Sequence, residues 1–199
     1  MSSRIKKGIP YRRKRAGKTD FRKRLDLLKS GLCRLVVRKS NKNIYAQLIK
    51  YSPEGDVVVN SANSTELKNF GWTLSTSNIS AAYLVGVLIA SKTKVKSAIL
   101  DLGLLTPVSG SKIFAVIKGC IDAGLKIPHK KKVLPSEERI MGKHIQEYAN
   151  KLSEESPEKF KKLFSSHVKN NIAFEKYQDY VNKTKQKILK ENGKKKKQK

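Results

Sequence analysis

The first twenty-four residues, MSSRIKKGIPYRRKRAGKTDFRKR, hold eleven Lys and Arg and a single acid, Asp20. Like charges at this density repel, and almost nothing apolar is present to bury, so the segment cannot fold on itself. It becomes ordered only against a dense, extended anion. A polynucleotide phosphate backbone is such an anion, and each phosphate neutralised releases condensed counterions.

The rest of the chain has the same imbalance. Lys and Arg number 44 against 16 Asp and Glu, a formal charge of +28 over 199 residues. A small domain meant for free solution carries a net charge of about 2–8. Such an excess opposes compaction unless a polyanion cancels it. No apolar run approaches the roughly eighteen residues a membrane span needs, and no apolar core follows Met1–Lys7 to make a signal peptide. An intracellular, membrane-free protein is expected. Cys33 and Cys120 lie far apart, and His129, His144 and His167 are scattered. No metal-ligand spacing results, so no metal or cofactor is expected, and the cysteines read as buried or incidental thiols.

Residues 31–127 have the apolar content for a core; residues 1–30 and 128–199 do not. Arg34–Lys39 reads as a strand, Asn41-Lys42-Asn43 as a turn, and Ile44–Tyr51 as a second strand with Ile44, Ala46 and Leu48 on one side. The turn Ser52-Pro53-Glu54-Gly55-Asp56 leads to a third strand from Val57 to about Ala62. This is an antiparallel meander. A helix is expected from about Ile79 to Lys92, capped by Ser77 or Asn78, with Ala81, Leu84, Val85, Leu88 and Ile89 on its apolar face and Tyr83 off it. Ala98–Leu102 reads as a buried strand reached by a crossover onto the same sheet. A last core helix runs from about Lys112 to Ala123 and ends at Gly124. The order β-β-β-α-β-α gives an α/β class with a mixed sheet.

Beyond Pro128, HKKK (129–132) is a basic patch, and Ser136-Glu137-Glu138 and Ser156-Pro157-Glu158 read as helix starts. Phe160, Leu163, Phe164 and Val168 form one apolar stripe, and Phe174, Tyr177, Val181 and Ile188 another. These are expected to be separate short helices that lie over the main domain or over RNA. After Pro157 there are fourteen Lys against four acids, and the final GKKKKQK reads as a disordered basic tail.

The richest stretch is 11–31. Arg12, Arg13, Lys14 and Arg15 make one cationic cluster, and Lys18, Arg22, Lys23 and Arg24 a second, with Gly17 as the bend between them. Tyr11 and Phe21 are interleaved, and aromatics among cations can stack on unpaired bases. Thr19 or Asp20 can cap a short helix bearing Leu25 and Leu28. The plain alternative is a localisation signal or sticky tail, although Thr19, Asp20 and Phe21 break the charge run as a simple tail has no need to do.

RRKRAGKTDFRKRLDLLKSG followed by RLVVRKSNKNIYAQLI resembles the archaeal and eukaryotic branch of large-subunit ribosomal protein eighteen, a 5S-rRNA-binding family called protein five in eukaryotes. The resemblance continues through STELKNFGW (64–72), AAYLVGVLIA (81–90), AILDLGL (98–104), SGSKIFAVIKGCIDAGLKIPH (109–129) and LPSEERIMGKHI (134–145). It covers about residues 10–147, and the length is similar to that of the archaeal form. Residues 150–199 lie outside it.

The resemblance implies a three-layer translational-machinery-component domain of ribonuclease-H-like type. It also implies a cytoplasmic role, which is to hold 5S rRNA in the central protuberance of the large subunit against 23S rRNA and neighbouring ribosomal proteins, as a single copy per ribosome. By motif, Tyr11–Arg24 corresponds to the family's RNA-embracing arm. Arg38, Lys39, Ser40, Asn41, Lys42 and Asn43 correspond to a 5S-facing hairpin turn. From the residues alone, SNKN is either that or an ordinary solvated turn. Ser109-Gly110-Ser111-Lys112 opens a helix, so it is either a phosphate cradle or an ordinary cap. Trp72 reads as a core residue rather than a base-stacking one.

Two rivals belong to other classes. A ribonuclease-H-like nuclease needs several carboxylates converging on divalent metal. Of Glu54, Asp56, Glu66 and Asp101, only Asp101 falls in an expected core strand, with no second acid evident beside it. No other catalytic constellation is present, so an enzyme is not expected. The second rival is a non-ribosomal RNA chaperone or a polybasic protein of membrane surfaces.

Overall fold

The computed structural model describes residues 8–165, Val168 and residues 177–197, with side chains to Glu191. Met1–Lys7, His167 and Phe174 lie outside the described residues. Two short basic helices, α1 (Arg12–Arg15) and α2 (Phe21–Leu28), precede the sheet. β1 (Cys33–Lys39), β2 (Ile44–Lys50) and β3 (Val57–Asn63) form the expected antiparallel meander. Alternation sets its faces. Leu35, Val37, Ile44, Ala46 and Leu48 point inward and are at most 1% exposed. Arg34, Val36, Arg38, Gln47 and Ile49 face a cleft on the opposite side.

Asn63 begins a run of 3-10 turns over Ser64–Phe70 that strand and helix periodicities do not announce. Asn63 and Glu66 close a reciprocal capping box, and Gly71, at φ 85°, ends the run. Trp72 follows, 1% exposed, its Nε1 donating to the Ser75 carbonyl at 3.1 Å. It is the core residue expected.

α3 (Ile79–Lys92) starts at Asn78, whose side chain accepts from the Ala81 N–H. The chain crosses back to β4 (Ala98–Asp101), parallel to β1, so the sheet order is β3-β2-β1-β4. α4 (Lys112–Asp122) then packs beside α3. The expected α/β class with a mixed sheet is what the chain adopts. The two helices cross at glycines. A Cβ on Gly86 would stand 2.0 Å from the Val116 carbonyl oxygen, and one on Gly119 would stand 2.1 Å from that of Tyr83. Only backbone fits at this crossing.

The expectation of a one-sided α3 is corrected. Every residue from Ser80 to Ser91 is buried, including Tyr83, whose hydroxyl donates to Asp122 Oδ2 at 2.8 Å. The reason lies far down the chain. After α5 (Glu137–Ile140), α6 (Lys143–Glu155) and α7 (Pro157–Leu163), helix α8 (Tyr177–Lys197) lies against α3 and covers its back. Tyr177, Val181 and Ile188 join the core at 0–1% exposure. The Tyr177 ring meets Trp72 edge-on, centroids 6.3 Å apart. Its hydroxyl accepts from Asn78 Nδ2 at 2.8 Å and donates to Ser80 Oγ at 3.2 Å. Burial raises the Tyr177 pKa.

The extension thus lies over the main domain, but not as short helices only, since α8 has 21 residues. The tail expected to be disordered continues this helix as far as Lys197. Phe160 and Phe164 pack on each other at 5.5 Å, and Phe164 packs on Tyr148 at 6.3 Å. Both cysteines are free. Cys120 is buried, which pushes its thiol pKa up, and Cys33 is half-buried. Among the described residues no helix is long and apolar enough to cross a membrane.

Candidate nucleic-acid interface

The expectation that the arm gains order only against an anion is corrected: its own caps and turns give it the helices α1 and α2. Gly17, at φ 61°, turns the chain between α1 and α2, and Arg13 Nε donates to Thr19 Oγ1 across that turn at 2.8 Å. Asp20 caps α2, its Oδ1 accepting from the N–H groups of Arg22 at 3.0 Å and Lys23 at 3.2 Å. Asp20 is therefore occupied by its own backbone, and the arm's other acid, Asp26, pairs with Lys29 at 3.0 Å. The Tyr11 and Phe21 rings sit 5.3 Å apart, and Tyr11 remains 74% exposed. Arg12, Lys14, Arg15, Lys18, Arg22 and Lys23 are exposed. Among the described residues none of these six has a carboxylate partner. No residue of α1 or α2 is fully buried, and Phe21, Leu27 and Leu28 of α2 are half-buried.

An ion pair also ties the arm to the sheet. Between α2 and the outer face of the sheet lies a cleft of about 820 Å³, lined in part by Arg13, Lys18, Thr19, Lys23, Arg24 and Arg38. A ladder of ions runs through it. Arg24 of α2 pairs with Asp56 at 3.0 Å. Asp56 also accepts from Arg34 Nη2 at 2.5 Å, and Arg34 Nη1 reaches Asp101 at 2.8 Å. Asp101 meets Arg38 at 3.3 Å and accepts from the Gly103 N–H at 2.8 Å. Arg34 is 3% exposed, so the middle of this ladder is buried.

The ladder alters two expectations. Arg38, expected to supply charge to a phosphate, spends its guanidinium on Asp101 and on the Val37 and Asp101 carbonyls, the two carbonyls each at 2.8 Å. Asp101 does have a second acid nearby, Asp56, and the two converge on the Arg34 guanidinium. No group of three or more His, Cys, Asp or Glu suited to a metal occurs among the described residues. Sequence reasoning missed Arg34. Its one trace there is an arginine opening a run of buried apolar strand residues.

The hairpin turn is held by its own side chains. Ser40 N–H donates to the Asn43 carbonyl at 2.8 Å, and Ser40 Oγ accepts from Asn43 N–H at 2.9 Å. Thr76 Oγ1 donates to the Lys42 carbonyl at 2.6 Å. Lys39, Ser40, Asn41 and Lys42 are exposed at its tip. This hydrogen-bonded, polar projection lies outside the cleft, as do Ser109, Ser111 and Lys112. In the latter group Ser109 Oγ donates to the Lys132 carbonyl at 2.9 Å, and the Gly110 N–H donates to that of Val133 at 3.0 Å. Two of the cradle's polar groups are thereby used internally.

Comparison with known proteins gives concordant results. The family model described as ribosomal large subunit proteins 60S L5 and 50S L18 matches residues 6–98 and 91–130. The large ribosomal subunit protein uL18 of the archaeon Methanococcus maripaludis is 45% identical over 192 residues, spanning 95% of this chain and 99% of that protein. That relative therefore carries a counterpart of most of the C-terminal extension as well.

Proposed function

Because the chain belongs to the family of ribosomal large subunit proteins 60S L5 and 50S L18, we propose that it binds 5S rRNA and anchors it to 23S rRNA in the central protuberance. A member of this family is a structural component of the cytoplasmic large ribosomal subunit and not an enzyme. The finer reading rests chiefly on the arm. It presents six exposed, unpartnered cations beside a cleft, with Tyr11 uncovered among them. Such an array supplies backbone affinity, while a rigid hairpin tip such as Lys39–Asn43 supplies register. Ser109, Ser111 and Lys112 make a further contact, through Lys112 and the free N–H groups opening α4.

In the same reading the sheet, with α2 on one face and α3 and α4 on the other, is the middle layer of a translational-machinery-component domain. Residues 1–30 are the arm, 31–127 the core and 128–199 the extension. One copy binds per ribosome, flanked by other large-subunit proteins.

A direct test titrates the full chain with 5S rRNA and with an unrelated transcript of equal length at physiological salt. We expect 5S rRNA to bind more tightly by about tenfold or more, since shape and base contacts add to the common backbone term. Equal affinities would favour the RNA-chaperone reading.

A further inference from the structure

Helix α8 has two faces of different character. Tyr177, Val181, Thr184 and Ile188 form the buried stripe. Lys183, Lys187 and Lys190 follow one another at i, i+4 and i+7, and so lie on one line away from it. All three are exposed, and among the described residues none has a carboxylate partner. The same spacing continues in the sequence at Lys194 and Lys197. The Lys187 ammonium lies over Gly71, 3.1 Å from where a Cβ would stand, at the end of the 3-10 turns that carry exposed Lys68. Lys185 falls outside the line and caps the Tyr83 ring at 5.3 Å, with a structural part to play.

A row of like charges on one helix line repels itself. Nothing in the packing requires it: the apolar stripe, the Tyr177 hydroxyl and Lys185 hold α8 to α3 without these three lysines. We propose that the Lys183–Lys187–Lys190 line binds the phosphate backbone of a second RNA segment, separate from the one the arm holds. α8 lies beyond α3 on one side of the sheet and the arm lies on the other, so a single contact surface does not join them. The inference rests on the chain being an rRNA-binding protein, and it assigns a partner to the extension.

The chemistry selects RNA over other polyanions. Lysines are compact point charges suited to repeated phosphates and carry no directional code. A protein partner would require apolar or aromatic anchors, and lysine is depleted from the core of such interfaces. A membrane would require an apolar face, and that of α8 is already spent on α3.

The test uses full-length protein saturated with 5S rRNA and titrated with a labelled RNA duplex of unrelated sequence across a salt series. The wild-type complex is expected to take up the duplex. The K183Q/K187Q/K190Q variant should do so on the order of 10²-fold more weakly at physiological salt, with a log K against log salt slope shallower by about 2–3. Replacing the same lysines by arginine should retain binding, and 5S affinity should change less than about twofold in either variant. An unchanged slope in the glutamine variant would overturn the proposal. So would a parallel loss of 5S and duplex affinity, failure of the wild-type complex to take up the duplex, or displacement of the duplex by an acidic peptide but not by RNA. If the rRNA reading itself fails, 5S binding by the wild-type chain shows it independently.

Discussion

Replacement of Arg12, Arg13 and Arg15 by alanine is expected to weaken 5S rRNA binding on the order of 10²-fold at physiological salt. The figure follows from three lost phosphate contacts, each contributing about 0.7–0.9 to the slope of log K against log salt. The salt slope should therefore flatten by about 2–3 in the same titration. The fold should not notice. No residue of α1 is buried, and the strongest local tie lost is the Arg13–Thr19 hydrogen bond at 2.8 Å. Far-UV dichroism and thermal midpoint are expected to match the wild type. A variant that keeps the wild-type slope would show that these arginines do not face phosphates, whatever its absolute affinity.

The second large effect is on stability. Asp101→Ala removes the carboxylate that Arg34, Arg38 and the Gly103 N–H share. The Arg38 side chain is 45% exposed and can find water, so its pair is worth little. Arg34 cannot. Its side chain is 4% exposed, and it would keep only Asp56. Leaving a buried guanidinium half-paired costs about 3–5 kcal/mol, and about 3 is expected here because Asp56 remains. For a chain of this size that lowers Tm by about 6–12 °C. Asp101→Asn, which retains an acceptor, should lose less. Urea or thermal unfolding measures both, and a loss below about 0.5 kcal/mol for the alanine variant would show that the buried Arg34 does not depend on Asp101.

These two predictions differ in how much of their basis is legible in the sequence. The arm's cations, a cap at Thr19 or Asp20, another at Ser77 or Asn78, and the meander with Ile44, Ala46 and Leu48 on one side all follow from local pattern; the structure places the caps at Asp20 and Asn78 and turns those three side chains inward. So does the crossover to a parallel β4, because a strand–helix–strand order leaves little choice. The ladder does not follow from local pattern. Arg34 lies 22 residues from Asp56 and 67 from Asp101, and no local periodicity reports a pair formed by folding.

The burial of α3 on all sides is hidden for the same reason. Its cover is α8, whose buried stripe begins 99 residues after Asn78 at Tyr177. The basic tail shows the opposite error. Dense lysine reads as disorder when charge alone is weighed, yet Tyr177, Val181 and Ile188 anchor the helix from which that tail continues. The 3-10 run after β3 has a local signal, since Asn63 and Glu66 stand at capping-box spacing, but no apolar periodicity marks it.

The common thread is an unbalanced charge of +28. The most direct measurement is crosslinking of the chain to RNA in cells, followed by sequencing of what is bound. Reads are expected to concentrate on 5S rRNA, with a smaller set on 23S rRNA, and the protein should be recovered with large subunits. Reads scattered over unrelated transcripts, with the protein free of ribosomes, would contradict this.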